Sequence, residues 1–380
     1  MRILVAADSF KDALPASGVC KALAAGIRRA RPDAQVTEFP LADGGEGTFD
    51  VLAYHLGLQT IGAETLDPLF RPIRAPYGLS AGGDTAFVEM AKASGLQLLR
   101  PEERNPLRTT TLGTGLLLAD AQRRGAARAV LAIGGSATND GGTGMAAALG
   151  WRFLDAGGHD LQPTGESLSR IARILPPEKP VAFQQVEVIC DVTNPLYGPD
   201  GAARVYAIQK GADPAAVAAL DAGLRHLAQL TEQQLNRPGL AHIPGSGAAG
   251  GLGFGALVFL HATLRRGIDL ILDLTRFNEA LARADLVVTG EGKLDGQTLH
   301  GKLIHGICQR ANRRGVPVVA FCGRLEASPE QISAIGLQQA ICINDTEGPL
   351  TELLARTWEN LERAAGKLIW PGNSVERREK

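Results

Sequence analysis

The sequence predicts an α/β protein of two domains, and three observations support this fold class. The chain has 380 residues, a length that favours two domains over one. Residues 3–7 form a near-continuous apolar run, which is typical of a strand buried on both faces of a parallel sheet. The β-α order that opens the chain recurs in its last third. We therefore expect one open parallel sheet built from residues 1–65 and 284–380, with a second α/β domain inserted at 66–283.

The first domain is predicted to begin β-α-β-α. Its first helix is expected over residues 16–29, because Val19, Leu23 and Ile27 recur every four residues. The other elements predicted for this domain, in chain order, are a strand at 36–39, a helix at 47–56, a strand at 285–289, a helix at 302–313, a strand at 316–321, a helix at 329–335, a strand at 340–343 and a helix at 350–368.

The inserted segment has a different pattern. Residues 66–89 combine several prolines with short extended runs, which predicts antiparallel or mixed strands. Further along, we expect two helices that bracket a strand around 110–133, a strand at 186–190, and helices at 214–235 and 256–266.

Composition excludes several classes of function. Aromatic residues make up 5% of the chain and the net charge is −1, so nothing favours stacking on nucleic acid or attraction to an anionic membrane. No apolar run reaches the ~18 residues that a membrane span needs. The five cysteines form no C-x-x-C pair, as expected in a reducing compartment. We expect a cytoplasmic protein without nucleic-acid or membrane partners, either a monomer or a homodimer.

The segment most indicative of function is LAIGGSATNDGGTGMAAALG at residues 131–150. An apolar strand leads into a polar glycine-rich loop, and a helix of small residues follows. Free N–H groups and a helix N-terminus together bind anions. A tight turn with several positive-φ glycines is the alternative. We interpret the loop as a nucleotide phosphate site, with these candidate residues: Gly134, Gly135, Ser136, Thr138, Asn139, Asp140 and Gly141.

Two better-known nucleotide motifs fit poorly. The P-loop pattern is missing, because the Gly-Lys pairs at 292–293 and 301–302 are each followed by leucine. Residues 245–250 match G-x-G-x-x-G, with Asp269 about twenty residues further on. The two prolines before this match make a poor strand, so a dinucleotide site stays an alternative.

Polar residues follow several predicted strands. Asp43 and Glu46 are hard oxygen ligands suited to Mg²⁺ on a nucleotide, or they complement a helix N-terminus. Asp191 directly follows an apolar strand and is otherwise an ordinary turn residue. Lys11 is otherwise a solvated lysine, and Lys210 a lead-in to the next helix.

These motifs, in this order, resemble the type I glycerate kinases over essentially the whole chain. One position departs from the family pattern APDSFK, since Ala7 stands in place of proline, while Asp8 and Lys11 are kept. The segments that carry the resemblance are AADSFKDAL at 6–14, FPLADGGEGT at 39–48, VEMAKASGL at 88–96, TTTLGTG at 109–115, IGGSATNDGGTGMAAALG at 133–150, CDVTNPLYGPDGAA at 190–203, QKGAD at 209–213, PGSGAAGGLGFG at 244–255, DLVVTGEGKLDGQT at 285–298 and GK at 301–302.

The resemblance implies ATP-dependent phosphorylation of D-glycerate. It also implies a flavodoxin-like, doubly wound domain made from both chain ends, with the second α/β domain inserted and the active site in the cleft between them. Bacterial members usually make 2-phosphoglycerate, and 3-phosphoglycerate is the alternative product.

Phosphoryl transfer needs a clamp for the phosphates, a metal and a group that positions the hydroxyl. On the resemblance, the first choice of base is Asp191 and the second is Asp295. The remaining expected roles are phosphate binding by residues 134–142 and by Gly290, Gly292 and Lys293 within 290–296; Mg²⁺ binding by Asp43, Glu46 or Glu291; catalysis and glycerate binding by Lys11; and glycerate binding by Asp8, Ser9, Asn194 and Arg324.

Two other classes of function remain as rivals. A nicotinamide-dependent 2-hydroxy-acid dehydrogenase would use residues 245–250 and would bind NAD(H), which a kinase would not. A sensor of sugar acids would carry a DNA-binding or output module, and no basic helical patch is present in the sequence.

Overall fold

The computed structural model describes residues 1–44, 47–179, 183–295, 303–344 and 348–368. Contacts between Cα atoms divide the chain into unit 1, residues 1–43 with 268–380, and unit 2, residues 44–267. The boundaries predicted after residues 65 and 283 differ from these, because the chain after residue 44 already leads into the second sheet.

The described residues form strands and helices in both units. The strands are β1 (Arg2–Val5), β2 (Gln35–Glu38), β3 (Gln59–Leu66), β4 (Pro72–Leu79), β5 (Thr85–Glu89), β6 (Arg128–Ala132), β7 (Arg152–Leu154), β8 (Arg173–Leu175), β9 (Gln185–Ile189), β10 (Thr263–Arg265), β11 (Leu286–Leu294), β12 (Val318–Leu325) and β13 (Gln339–Cys342). The α-helices are α1 (Ala16–Ala30), α2 (Thr48–Leu56), α3 (Ala91–Ser94), α4 (Leu112–Arg123), α5 (Thr143–Ala148), α6 (Ala202–Tyr206), α7 (Pro214–Leu235), α8 (Ala248–Phe259), α9 (Gly267–Leu274), α10 (Phe277–Leu281), α11 (Leu303–Asn312), α12 (Pro329–Ala334), α13 (Leu350–Ala355) and α14 (Thr357–Gly366).

Unit 1 contains the parallel sheet predicted from the two chain ends. Its strand order is β13-β12-β11-β1-β2, and every neighbouring pair is parallel. Counted within the unit, this is the flavodoxin-like order 2-1-3-4-5. The predicted fold class is therefore confirmed. In such sheets the order reverses between the first and third strands, here β1 and β11, and ligands bind at the carboxyl ends beside this switch point.

The core of unit 1 explains why α1 forms where the sequence predicts it. Val19, Leu23 and Ile27 are all fully buried. Gly26 lets α14 approach closely, since a Cβ at this position would lie 2.1 Å from the carbonyl oxygen of Glu362. Burying one such aliphatic side chain contributes roughly 1.5–3 kcal/mol, so this apolar face holds α1 in place.

Unit 2 is built on a mixed sheet with strand order β10-β9-β6-β5-β4-β3. The pairs β3–β4 and β4–β5 are antiparallel and the others are parallel, which confirms the expectation of mixed strands. Strands β7 and β8 pair separately as a small antiparallel sheet. The long helix predicted at 214–235 is present as α7, with Pro214 at its first turn and Asp213 as its N-cap.

Two predicted helices are wrong in detail. The apolar run over 256–266 does not form one helix, because the chain leaves α8 at Phe259 and pairs as β10 with β9. The helix predicted at 350–368 is two helices, α13 and α14, that meet at Arg356. Among the described residues, no helix is long and apolar enough to cross a membrane.

Candidate active site

The carboxyl end of β1 lies beside β11 at the switch point of unit 1. The backbone N–H of Asp8 donates to the carbonyl of Gly290 over 2.9 Å, so pairing continues beyond β1. The N–H of Ser9 donates to Oδ1 of Asp8 over 2.6 Å. The predicted residues Asp8 and Ser9 therefore stand where parallel sheets of this order bind ligands.

Asp8 belongs to a group of acidic residues. Burial, with the charges of Asp43 and Glu291, raises the pKa of Asp8 to about 8 against the opposing effect of the bond from Ser9. Glu291 is itself buried, with 9% of its surface exposed. At pH 7 this region favours a protonated Asp8 unless a cation is bound.

Residues 290–296 were expected to form a glycine-rich phosphate-binding loop; residues 290–294 instead belong to a strand, and phosphate binding there stays a prediction. Gly290, Gly292 and Lys293 all lie inside β11, which continues to Leu294 in register with β12. Gly290 permits close packing of the two strands, since a Cβ at this position would lie 2.8 Å from the carbonyl oxygen of Phe321. Residues 296–302 lie outside the described residues.

Four charged side chains form a network at the ends of β11 and β12. Lys293 Nζ lies 2.8 Å from Oε2 of Glu326 and 3.1 Å from Oδ2 of Asp295, and these bonds raise the pKa of Lys293. Arg324 Nε lies 2.8 Å from Oε1 of Glu326. The structure thus brings together three predicted residues through Glu326, which the sequence analysis missed. Glu326 could have been found from the sequence, because residues two apart in an extended segment lie on the same face and Glu326 is two residues after Arg324.

The backbone of Lys11 lies close to Gly292, one residue before Lys293 of this network. A Cβ on Gly292 would be 3.7 Å from the backbone nitrogen of Lys11. The side chain of Lys11 is exposed, as expected of a cation that meets a soluble anion.

In unit 2, the loop of residues 134–142 connects β6 to α5. Gly135, Gly141 and Gly142 have φ values of 75°, 62° and 75°, so the positive-φ turn foreseen as the alternative is present. Gly134 and Gly135 are exposed, whereas Ser136 is 8% exposed. The loop therefore presents mainly backbone at its surface.

The other polar side chains of the loop face inward. Thr138, Asn139 and Asp140 are all 0% exposed. In the described part of the chain, the Thr138 hydroxyl and both amide atoms of Asn139 lack hydrogen-bond partners. These three residues shape the loop, and a direct contact from them to phosphate stays a prediction.

Asp140 fixes the loop from inside. Its Oδ2 accepts bonds from the N–H (2.7 Å) and hydroxyl (2.8 Å) of Thr111 and from the N–H of Gly144 (3.2 Å), while Oδ1 accepts from Gly142 (3.1 Å). Burial raises the pKa of Asp140, and these bonds oppose the rise. The carboxylate thus holds the loop and the start of α5 together.

Lys210 also reaches the inner side of the loop. It ends a 3₁₀-helix over Ile208–Lys210 and is 2% exposed. Its Nζ donates to Oγ of Ser136 over 2.6 Å and to the carbonyl of Thr138 over 2.7 Å. Burial lowers the pKa of Lys210 to about 7, and the charge of Asp140 opposes this. The sequence analysis took Lys210 for a lead-in to the next helix; its place inside QKGAD was the available signal.

The glycine-rich segment at 244–255 packs against the same loop. The N–H of Gly141 donates to the carbonyl of Gly250 over 3.0 Å. A Cβ on Gly250 would lie 2.0 Å from the carbonyl oxygen of Thr138, and one on Gly255 2.6 Å from that of Gly141. Close backbone packing accounts for these glycines. A 3₁₀-helix over Leu240–His242 precedes the match in place of the strand that a dinucleotide site requires.

Asp191 and Asn194 follow β9. Asp191 is exposed, and its Oδ1 accepts the N–H of Gly267 over 2.7 Å. Asn194 is held by its own loop, because its Nδ2 donates to the carbonyl of Asp200 (2.8 Å) and its Oδ1 accepts from the hydroxyl of Tyr206 (2.6 Å). Asp191 is thus oriented at a strand end, while the amide of Asn194 is already engaged.

The predicted metal ligands are only partly visible. Glu46 lies outside the described residues, whereas Asp43 is half-buried after β2. No group of three or more His, Cys, Asp or Glu side chains is arranged to hold a metal ion within the described ranges.

Comparison with known proteins agrees with this architecture. Residues 3–370 match the glycerate kinase family. A glycerate kinase from Halalkalibacterium halodurans is 43% identical, covering 96% of each chain. A glycerate 2-kinase from Escherichia coli K12 is 39% identical, also covering 96% of each. A crystal structure from Salmonella typhimurium LT2, described as glycerate kinase 2, superposes with a TM-score of 0.86 at 40% identity, covering 96% of each chain.

The fold and the family match define a phosphotransferase of the α/β class. The chain belongs to the glycerate kinase family. Membership implies the use of ATP, and it excludes the dehydrogenase and sensor alternatives as descriptions of the whole chain.

Proposed function

We propose that the protein transfers the γ-phosphoryl group of ATP to the C2 hydroxyl of D-glycerate, giving ADP and 2-phosphoglycerate. The observation that supports the nucleotide site is the form of the 134–142 loop. Its first glycines, Gly134 and Gly135, are exposed, and the buried Lys210 donates to Ser136 on its inner side. The choice of C2 is supported by the E. coli relative named glycerate 2-kinase. Nothing observed separately favours 3-phosphoglycerate.

The phosphates are assigned to the loop between β6 and α5. The exposed backbone of Gly134 and Gly135 permits close approach of a polyanion. Within the described residues, the N-terminus of α5 adds no free donors, because the N–H groups at its start already donate to Asp140 and Thr111. Of the residues proposed within 290–296, we retain Lys293 as a cation at the edge of β11.

Glycerate is assigned to the carboxyl end of the unit 1 sheet. Arg324 is 75% exposed, and Lys11 is exposed after β1, so both present cations to a carboxylate. Ser9, next to Asp8, offers a hydroxyl.

Asp191 is proposed as the base. The C2 oxygen of glycerate forms a bond to the γ-phosphorus while the bond from that phosphorus to the bridging oxygen of ADP breaks. The hydroxyl proton moves to the carboxylate of Asp191, which the N–H of Gly267 orients. Asp295 is the second candidate, although Lys293 engages its carboxylate.

Mg²⁺ is proposed to arrive with ATP. The donor set fits it, because Asp43 and Glu291 supply hard oxygen ligands and their charges already disfavour ionisation of Asp8. A bound Mg²⁺ would neutralise negative charge on the phosphates. Asp43 or Glu291 would hold it, in keeping with the one or two protein carboxylates that nucleotide-bound Mg²⁺ uses.

The experiment is a coupled ADP-release assay with ATP, Mg²⁺ and D-glycerate, followed by NMR of the phosphorylated product. We expect 2-phosphoglycerate and loss of turnover in excess chelator. A 3-phosphoglycerate signal would overturn the choice of C2, and full turnover in chelator would overturn the role of the metal. Titration with NAD(H) should show no binding.

A further inference from the structure

The direction of the hydrogen bond between Lys210 and Ser136 depends on the charge of Lys210. In its protonated form Lys210 has three donors and no acceptor, so Oγ of Ser136 then accepts the 2.6 Å bond. The pKa of Lys210 is about 7, and a bound polyphosphate would favour this protonated form. The hydroxyl proton of Ser136 must then point elsewhere. Among the described residues, no hydrogen bond from this proton to a protein acceptor is found.

Among the described residues, the hydrogen-bond acceptors of the buried Lys210 are both uncharged, Oγ of Ser136 and the carbonyl of Thr138. Removing an ammonium group from water is costly, and lysine is rarely buried without a partner. The acidic group that acts on it is Asp140, whose oxygens are already bonded to Thr111, Gly142 and Gly144. The ammonium thus adds positive charge directly behind the most exposed part of the loop.

We propose that Lys210 is a positioning residue of the nucleotide site, which by donating to Ser136 from behind turns the Ser136 hydroxyl proton towards a phosphate oxygen of bound ATP. This inference rests on the proposed function, because it takes residues 134–142 as the phosphate site. It names a group that acts through Ser136 without touching the nucleotide.

The test is a double-mutant cycle with Ser136→Ala, Lys210→Met and the double variant. A hydrogen bond to a charged group contributes enough for a roughly ten- to hundredfold rise in the KM for ATP when Ser136 loses its hydroxyl. Lys210→Met should cause a similar rise with little change in the KM for glycerate. The double variant should be no worse than Lys210→Met alone. Lys21→Met, at an exposed position on α1, is the matched control and should match the wild type.

The outcomes separate the inference from the function on which it rests. If Ser136→Ala raises the KM for ATP but the effects of the two substitutions multiply, Lys210 acts independently of Ser136 and the inference fails. An unchanged KM for ATP in Ser136→Ala contradicts the inference too. In that case Gly135→Val decides about the loop: a raised KM keeps it as the phosphate site, and an unchanged one removes it.

A second measurement covers the case in which Lys210→Met does not fold. In protein labelled with ¹⁵N-lysine, Lys210→Arg assigns the Nζ resonance of Lys210. Both Ser136→Ala and a non-hydrolysable ATP analogue should shift that resonance. A resonance that moves with neither would overturn the proposal.

Discussion

At the sheet end of unit 1 the candidate ligand groups are side chains, whereas in the loop of unit 2 they are mainly backbone. Arg324 and Lys11 extend into solvent from the ends of strands. Around residues 134–142, the charged residues Asp140 and Lys210 are buried, and exposed glycines form the surface. At the sheet end of unit 1, a single substitution can therefore change the ligand. The loop of unit 2 depends instead on a backbone shape that buried residues hold in place.

The largest effect is expected at Asp191, a side chain at the end of a strand in unit 2. Asp191→Asn keeps the shape and removes the charge, and loss of a general base typically costs ~10²–10⁴-fold in rate. Steady-state kinetics should show this fall in kcat with the KM for ATP preserved, because the base acts on the hydroxyl of the acceptor.

Asp200→Asn, also exposed in the loop that follows β9, is the control and should keep wild-type kcat. If Asp191→Asn lowers kcat by less than about tenfold, roughly 1.4 kcal/mol, the role of base passes to Asp295.

A smaller effect is expected when the backbone shape of the loop is disturbed. Gly135 has a φ of 75°, and its Cβ would meet only Ala91 Cβ at 3.6 Å, so Gly135→Val adds strain without a clash. We expect the KM for ATP to rise at least about tenfold, since a left-handed valine costs roughly 1–2 kcal/mol and displaces the loop.

Gly83→Val is the control for backbone strain, because Gly83 has a φ of 73° and nothing lies within 4 Å of the added Cβ. Equal kinetic constants for Gly135→Val and Gly83→Val would show that the 134–142 loop is only a turn and does not bind ATP. Gly141→Val is a poor test, because its Cβ would lie 2.5 Å from Leu227.

Substitution of Arg324 in unit 1 is expected to change only the KM for glycerate. Arg324→Ala removes an exposed cation, and the KM for glycerate should rise about tenfold, the scale of one charge-assisted hydrogen bond. The KM for ATP should stay unchanged. Arg100→Ala, equally exposed and also paired with glutamate, should alter neither constant; a rise in the KM for ATP alone in Arg324→Ala would contradict the assignment.

The smallest effect is a dependence of stability on pH. The pKa of Lys210 is about 7 in the folded protein and 10.5 in the unfolded chain, so the folded state binds fewer protons between these values. Stability contributed by this group therefore rises with pH across that window. The difference in melting temperature between wild type and Lys210→Met should shift in favour of the wild type by a few degrees from pH 7 to pH 9. A constant difference would show that Lys210 does not titrate in this range.

Local sequence patterns predicted most of unit 1. Its helices and parallel strands follow from apolar spacing, and the polar residues at strand ends follow from the topology of parallel sheets. The continuation of β11 through Gly290 and Gly292 was missed because glycine ordinarily marks a turn, whereas here Gly290 permits close packing against Phe321.

The sequence predicted where the loop of unit 2 lies, but not which residues hold its shape. Its glycines and polar residues predict an anion site, yet the groups that hold the loop in shape come from distant parts of the chain. Thr111, Lys210 and Gly250 reach it through tertiary contacts that have no local periodicity. For the same reason, the sequence suggested that Asp140 faces a ligand, when its carboxylate faces the backbone.

Hydrogen–deuterium exchange on the intact protein tests the central claim, that the two regions bind different ligands, most directly. A non-hydrolysable ATP analogue with Mg²⁺ should slow exchange within residues 134–142, and D-glycerate alone should slow it within residues 8–12. Protection of 134–142 by glycerate, with no effect of the nucleotide there, would contradict the account.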